Sequence, residues 1–421
     1  MSEHEPESWD VIVVGAGAAG LLAATRAAKR GKRTLLLEKN KRPGVKILMS
    51  GGTRCNLTHD TDEKGIVREY GPSGRFLHSA LSALGTRDLI ALVEAEGVAT
   101  KIEETGKVFP VSNRAVDILE AFLRLFHRSG ATLRLEEPLQ TITREDEAFQ
   151  LITTRHAYRA TKVVVTTGGK SYPGSGTTGD GFAWARNLGH TIVAPRPALV
   201  PITVNAPWTS VLRGITIPDV HVQVIDPKKT GKGKKVSVLA ERRGSLLFAH
   251  FGLSGPVILD VSRVVSGHPE PTSLHLVCDF LPDTSEVELE QQLQEASVTA
   301  GNRQLATVLS GTLPRWLVES ILEQAGLSPD RRSAELRKED RQGLVAAVKR
   351  MKIPVKGTLG FEKAEVTAGG VSLAEVDSRT MESKLVPGLY FAGEVLDLDG
   401  PIGGFNFQAA FSTGWLAGER V

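Results

Sequence analysis

The chain has 421 residues, a formal net charge of +3 and 24% charged residues. That length holds two or three domains with ample core. The 51 basic residues nearly balance the 48 acidic ones, which excludes a polybasic nucleic-acid surface. Cys55 and Cys278, the two cysteines, give neither a disulfide framework nor metal-ligand spacing. The ten histidines are scattered, and no metal site is expected. The first ten residues are acidic and polar, unlike a signal peptide. No stretch approaches the roughly 20 apolar residues that span a bilayer. These features predict a soluble cytoplasmic protein with no membrane or nucleic-acid partner.

Residues 11–14 are Val-Ile-Val-Val, which fits a parallel strand buried on both faces. Gly15-Ala16-Gly17-Ala18-Ala19-Gly20 follows, then an alanine-rich helix over 21–30 and a strand over 34–37 ending at Glu38. Each part suits a dinucleotide. Gly15 permits the tight turn, Gly17 admits a pyrophosphate, and Gly20 allows close helix–strand contact. The N-terminus of the helix, at Ala18 and Ala19, offers N–H donors to phosphate. Glu38 can accept from a ribose hydroxyl and would repel a 2′-phosphate. The alternative is an αβ turn without ligand, but strand, loop, helix, strand and acid occurring in order favour the cofactor.

Residues 46–56, from Lys46 to Asn56, form a second glycine-rich polar loop that NAD does not need. A longer cofactor such as FAD would use it. Gly51 and Gly52 would let backbone approach a flat ring, while Arg54 and Asn56 would bind the cofactor or brace the loop. Helices are expected at 75–97 and 115–130, then short strands over 132–165. The last strand delivers Thr167, Gly168 and Gly169 to the sheet edge where such folds bind ligands. A helix should follow over 179–188. Pro195, Pro197, Pro201 and Pro207 mark 194–208 as a linker or domain entry. Strand-like segments dominate from there to 278, with the basic run 228–235 read as a solvated hairpin turn. Residues 283–350 are charged and helix-forming. Residues 357–371 lead back to the first domain. A turn and strand over 386–394 deliver Gly393 and Glu394, where a carboxylate can bind a ribityl hydroxyl. Gly403, Gly404, Phe405 and Asn406 open a last helix, whose N-terminus would favour negative charge on a reduced flavin.

The glycine loop, Glu38-Lys39 and Ser50-Gly51-Gly52-Thr53-Arg54-Cys55-Asn56 resemble the bacterial YhiN/BaiN-type family of FAD-dependent oxidoreductases, also labelled aminoacetone-oxidase-like. Later segments agree: 167–173, 251–256, 367–371 and 392–408. Thr53 departs from the pattern, where glycine is expected more often. The resemblance implies an α/β fold: a Rossmann-like FAD-binding domain split in sequence, with an inserted β-barrel-like domain and a helical subdomain. The expected boundaries are 1–193 with 363–421, then 194–282 with 346–362, then 283–345. Such an insert would cover the flavin and place the substrate pocket between domains.

Flavin carries the hydride chemistry, so the protein need only position substrate and supply protons. No Ser/His/Asp arrangement has local support. Cys55 is either a redox thiol or a small buried residue in a tight loop, and the lack of a partner cysteine favours the second. His250 and Tyr172 could act as acid or base, and both are more often structural. No second GxGxxG follows a strand, so NAD(P)H would bind only transiently, in the substrate's pocket; oxygen could instead reoxidise the flavin. The sequence predicts an FAD-dependent oxidoreductase of a small organic molecule. The family's known activities include oxidation of an aminoketone and reduction of an unsaturated steroid-like ring. Two rivals are a tRNA-modifying flavoprotein, disfavoured by the neutral charge, and a non-catalytic FAD-binding redox sensor.

Overall fold

The computed structural model describes residues 6–229 and 237–421. Most of the basic run at 228–235, and the first half of the acidic N-terminal stretch, lie outside the described residues. The chain forms two compact units, Met1–Pro197 with Glu365–Val421, and Ala198–Ala364.

The first unit is built on a seven-stranded sheet. Strand β1 (Glu7–Val14) leads through helix α1 (Ala18–Lys29) to strand β2 (Thr34–Leu37). β1 lies between β2 and the strand Ala157–Val165, parallel to both. Thr132–Arg134 adds parallel to β2, and Leu389–Phe391 adds parallel to residues 163–165. Ala148–Thr153 and Leu139–Glu145 continue the sheet antiparallel. The runs at 11–13, 35–36 and 163–164 are wholly buried, as expected of strands covered on both faces. Burying each such aliphatic side chain contributes about 1.5–3 kcal/mol.

The two ends of the chain meet at α1. The C-terminal helix Phe405–Arg420 packs against it so closely that a Cβ at Gly414 or Gly418 would collide with the carbonyl oxygen of Ala19 or Ala23. That contact joins the split halves of the unit.

Several local expectations need correction. The segment 46–56 opens as helix α2 (Val45–Thr53), since Lys46, Ile47, Leu48 and Met49 are good helix formers. The helix breaks at Ser50, and the glycines take the turn beyond it. The helix expected over 75–97 is three pieces: a 3-10 turn Gly71–Leu77 and helices His78–Ala83 and Thr86–Glu94. Gly85 caps the last one, with Asp88 accepting from its N–H at 2.9 Å. A small sheet of Thr58–His59, Lys107–Pro110 and Thr100–Ile102 was not foreseen. The boundary between the two units falls within 194–208, after Pro197, but residues 192–198 are a strand paired with Val366–Val371 in a two-stranded sheet rather than free linker. A sheet this small has only edge strands, which tolerate Pro195 and Pro197.

The second unit is a closed six-stranded barrel, in the order Ile202–Val204, Gly252–Ser254, Val238–Ala249, Thr216–Ile225, His275–Asp279 and Met351–Thr358. Val220, Val222 and Val224 point into the core while His221 and Gln223 point outward, as alternation requires. Helix Pro256–Gly267 packs on the barrel. It was hidden in a region read as strands because Val257, Ile258, Val261, Val264 and Val265 are β-branched. Helices Glu286–Thr299, Leu305–Leu309, Arg315–Gln324 and Lys338–Lys349 follow and share one apolar core with the barrel.

Candidate cofactor site

Four parallel strands end along one edge of the sheet, and each delivers an expected segment. β1 ends at Gly15, β2 at Glu38, Ala157–Val165 at Thr166, and Leu389–Phe391 at Ala392. The crevice beyond such strand ends is where open α/β sheets bind ligands.

Sterics explain the glycine loop residue by residue. A Cβ on Gly15 would sit 2.8 Å from the Thr166 carbonyl oxygen, and its φ is +103°. A Cβ on Gly20 would collide with the Gly15 carbonyl. Thr166 Oγ1 donates to the carbonyls of Val14 and Gly15, at 2.9 and 2.8 Å, and fixes the turn. Gly17 differs, because nothing lies within 4 Å of a Cβ built there. Neither backbone angle nor a protein neighbour requires glycine at this position, which leaves room for a ligand beside the helix N-terminus. Gly17 also caps α1, whose first intrahelical bond is Leu21 N–H to Gly17 O at 3.0 Å. The N–H groups of Ala18, Ala19 and Gly20 therefore have no intrahelical partner and face an anion-binding position.

Glu38 is buried and braces this loop. One oxygen accepts from Ala16 N–H at 2.8 Å, the other from Asn40 N–H at 2.9 Å. Burial raises its pKa despite those two hydrogen bonds. Two of roughly four lone-pair sites are used, which leaves capacity for ribose hydroxyls. Lys39 instead pairs with Asp180 and Thr178, both at 2.6 Å.

Glu394 centres a clasp of four distant segments. Its Oε2 accepts from Lys46 Nζ at 2.5 Å, and its Oε1 from Ser171 Oγ at 2.6 Å and Thr367 N–H at 3.0 Å. Lys46 also donates to Ser171 Oγ at 2.7 Å. Thr367 Oγ1 accepts from the N–H groups of Lys170 and Ser171. Gly169 is required there, since a Cβ would collide with Thr367 Oγ1. Gly168 has φ +73°, and a Cβ would sit 2.9 Å from Thr177 Cγ2. Thr167 Oγ1 lies against Gly181. Lys46 and Glu394 were expected in the site from sequence; Ser171 and Thr367 lay in noted motifs but gained a role only from the contacts.

After Ser50 the chain makes a left-handed turn: Gly51, Gly52 and Thr53 have φ of +56°, +66° and +67°. A β-branched residue here is strained, which gives the physical reason glycine suits position 53. A Cβ on Gly51 would sit 2.9 Å from Asn56 N, whereas Gly52 opens on empty space. Arg54 braces the turn by pairing with Glu103 at 2.7 Å and lying 4.0 Å over the Phe109 ring. Cys55 is fully buried, and burial pushes its thiol up to about 12, which leaves it a poor nucleophile. Asn56 is buried with its side-chain oxygen unpartnered.

The C-terminal segment closes the crevice. Gly393 donates to Thr413 Oγ1 at 3.0 Å, and a Cβ there would approach Ala19 Cβ at 3.0 Å. A Cβ on Gly404 would lie 2.5 Å from the Thr58 backbone. The Gly403 carbonyl meets His59 Nδ1 at 3.1 Å, and His59 stacks on Phe405 at 4.6 Å. Asn406 bonds Gly400 and Pro401, so its side chain shapes the loop. Tyr70 donates to the Phe405 carbonyl at 3.0 Å; burial, then the charges of Asp399 and Glu394, raise its pKa well above the ordinary value. Sequence reasoning missed His59 and Tyr70, for which no local motif exists.

The catalytic candidates divide between the two units. Tyr172 is half-exposed beside Ser171. His250 belongs to the second unit, exposed and edge-on to Phe251 at 4.9 Å. A Ser/His/acid alignment is assembled from distant residues: Ser383 Oγ to His190 Nε2 at 2.9 Å, and His190 Nδ1 to Glu375 at 3.2 Å. Ser383 Oγ also accepts from the N–H groups of Leu385 and Val386, and the His190 side chain is sealed from solvent. Ser383 therefore gives its proton to Nε2, and the trio is a structural latch rather than a nucleophile site. Among the described residues no cluster of three metal-ligating side chains occurs, and no single helix is long and apolar enough to cross a membrane.

The orphaned Asn56 oxygen, the openings at Gly17 and Gly52, and two helix N-termini on one crevice fit FAD. Fold and site together define a Rossmann-type FAD-dependent oxidoreductase. The chain belongs to the family described as HI0933-like protein Rossmann domain, whose model matches residues 9–420. It is 35% identical over 418 residues to the "ribosomal RNA dihydrouridine synthase" of Escherichia coli K12, covering 99% of this chain and 98% of that protein. It is 28% identical to the "3-dehydro-bile acid delta(4,6)-reductase" of Clostridium scindens, over 97% and 98% of the two chains. The solved 3-ketosteroid-delta4-(5alpha)-dehydrogenase of Rhodococcus jostii RHA1 shares the fold, with a TM-score of 0.52 at 15% identity over 99% and 98% of the chains.

Proposed function

We propose that this chain is an FAD-dependent reductase of a carbon–carbon double bond conjugated to a carbonyl, and that its substrate is a uracil in ribosomal RNA. The observation that supports this reading is the 35% identity, over almost the full length of both chains, to a relative named ribosomal RNA dihydrouridine synthase. The bile-acid relative is named for a ring reduction of the same type. In both reactions one carbon of the double bond gains a hydride and the other a proton.

The residues divide the work. The α1 N-terminus and the Gly17 opening take the pyrophosphate, Glu38 the adenosine ribose, and Glu394 a ribityl hydroxyl. Lys46, Ser171 and Thr367 hold the Glu394 carboxylate in place. Bound FAD supplies the hydride chemistry. NAD(P)H, binding transiently, is the proposed electron source.

A second reading, a free small molecule such as an unsaturated steroid ketone, draws on the balanced charge of +3 and on the bile-acid relative. One assay separates the two. Purified protein with FAD and NADH or NADPH is given ribosomal RNA lacking dihydrouridine, or a conjugated steroid ketone, and product masses are read. A two-hydrogen gain at a uridine is expected. A gain only in the steroid would transfer the assignment to the second reading, and a gain in neither would remove the reductase.

A further inference from the structure

The packing of the last helix on α1 gives the crevice a direction. Gly414 of the last helix packs on the Ala19 carbonyl and Gly418 on the Ala23 carbonyl, so the two helices run the same way. At 1.5 Å per residue, Phe405 at the start of the last helix stands about 12 Å beyond the level of Ala18 at the start of α1. Gly393 lies between these two ends, since a Cβ there would sit 3.0 Å from Ala19 Cβ and 3.8 Å from Ala410 Cβ. The phosphate position at α1, the Glu394 clasp and the Gly403–Gly404 turn therefore follow one another outward. FAD carries its pyrophosphate, ribityl chain and flavin ring in that same order.

The outer end of this series has the softest backbone. Gly403 and Gly404 have φ of +123° and +95°, and two adjacent glycines do not fix a conformation by themselves. Beyond them the N–H groups of Phe405, Asn406 and Phe407 have no intrahelical partner, because the first such bond runs from Gln408 N–H to the Gly404 carbonyl at 3.0 Å. They form the positive end of a 16-residue helix. The short strand Thr58–His59 grips this turn. Gly404 is pressed so closely to it that a Cβ would lie 2.5 Å from the Thr58 backbone. His59 adds two contacts. Its Nδ1 lies 3.1 Å from the Gly403 carbonyl, which only accepts, so Nδ1 carries the proton and donates. Its ring stacks on Phe405, the first residue of the helix, at 4.6 Å and 22°. The hydrogen bond also engages a carbonyl whose partial negative charge would otherwise stand free beside the helix start. The gripping strand is itself anchored, by pairing with Lys107–Pro110 and by the Thr58 hydroxyl donating to Gln408 Oε1 at 2.6 Å. The same segment carries Asn56, whose buried oxygen lacks a protein partner.

We propose that His59 is a positioning residue for the flavin: by clamping the Gly403–Gly404 turn it holds the helix N-terminus against the ring and raises the reduction potential of bound FAD. The inference rests on the FAD assignment, with the Gly403–Gly404 turn as its flavin end, and not on which substrate is reduced. Reduction brings two electrons and one proton to the ring and leaves it one negative charge. A fixed positive helix end stabilises that form over the neutral oxidised one. A turn free to move loses part of this preference, because dipoles that must first be oriented stabilise charge less. A higher potential makes hydride uptake from NAD(P)H more favourable.

The test is the midpoint potential of the holoprotein, titrated anaerobically with dithionite against a reference dye at one fixed pH. His59→Phe keeps the stack on Phe405 and loses the hydrogen bond. Its reduced flavin should bind about tenfold less tightly relative to oxidised flavin, a fall of about 30 mV for the two-electron couple. His59→Asn carries a donor at the reach of Nδ1 and should restore that preference to within about twofold, roughly 10 mV. Thr58→Val breaks the neighbouring bond to Gln408 and should lower the thermal midpoint by about 2 °C without moving the potential. If His59→Phe does not retain FAD, His59→Gln, which sets its donor one carbon further out, is read in its place with the same expected fall. An unmoved potential in the FAD-bound Phe or Gln variant overturns the assignment. An equal fall in His59→Asn or Thr58→Val overturns it too, by making the effect one of general packing. A wild-type protein that binds no FAD on reconstitution fails earlier, at the cofactor, and takes the clamp with it.

Discussion

The first unit contains two hydrogen-bonded clusters made from the same chemistry and used for opposite ends. The Lys46–Ser171–Thr367–Glu394 clasp and the Ser383–His190–Glu375 latch each tie distant segments through a carboxylate. The latch is closed: His190 is sealed, and Ser383 Oγ is filled by two backbone N–H groups and the imidazole. The clasp is open: its Lys46 and Glu394 side chains keep 28% and 17% of their surface. The same unit holds open space at Gly17 and Gly52 and an Asn56 oxygen with no protein partner. Catalytic-looking geometry is therefore a poor guide by itself. Unused hydrogen-bonding capacity and open volume distinguish a site from a brace.

Breaking the latch should have the largest effect on stability and none on chemistry. His190→Ala leaves Ser383 and Glu375 without their common partner and opens a cavity beside Phe391, costing about 3 kcal/mol in urea unfolding. The latch also predicts a pH dependence. Burial lowers the His190 pKa from 6.5, with Glu375 opposing. The folded state thus disfavours the charged ring, and stability should fall as pH drops below about 6.5, the ordinary histidine value. A wild-type stability that stays flat from neutrality down through that range, like that of His190→Ala, would contradict the latch.

On the open side, Gly17→Val should leave unfolding unchanged, because no protein atom lies within 4 Å of its Cβ. It should weaken FAD binding by about 100-fold, roughly 3 kcal/mol, by blocking the phosphate position. A yellow Gly17→Val protein of wild-type affinity would count against the loop. Thr53→Gly should stabilise the fold by about 1 kcal/mol by relieving a left-handed β-branched residue. A loss of stability would mean that the threonine side chain contributes more than its strain costs. Cys55→Ser should change the rate of flavin reduction by less than about twofold, since the buried thiol stays protonated. A tenfold loss would return that residue to the chemistry.

Local pattern carried the nucleotide-binding half of the fold. The Val-Ile-Val-Val run, the spaced glycines and Glu38 announce themselves because each answers a constraint within a few residues. Contacts across the chain did not. Nothing near Ser171 or Thr367 says that both meet Glu394, and the line from Ser383 to His190 joins residues 193 positions apart. The helix Pro256–Gly267 was obscured by its valines, although Gly255-Pro256 carries a start signal in the proline at its first position. Likewise prolines marked 194–208 as a linker or domain entry, and missed its first strand, because the sequence does not tell a two-stranded edge from a loop. Arg54 shows the limit from the other side. Its loop was found, but the bracing contacts to Glu103 and Phe109 lie too far along the chain to be read from it.

The most direct test of the account is the visible absorption spectrum of the purified protein, reconstituted with FAD and followed anaerobically through addition of NADH or NADPH and then of a conjugated substrate. The account predicts flavin bands that bleach with the nicotinamide and return with the substrate. Absence of flavin bands after reconstitution would contradict it at the root, and bands that never bleach would contradict the reductase assignment.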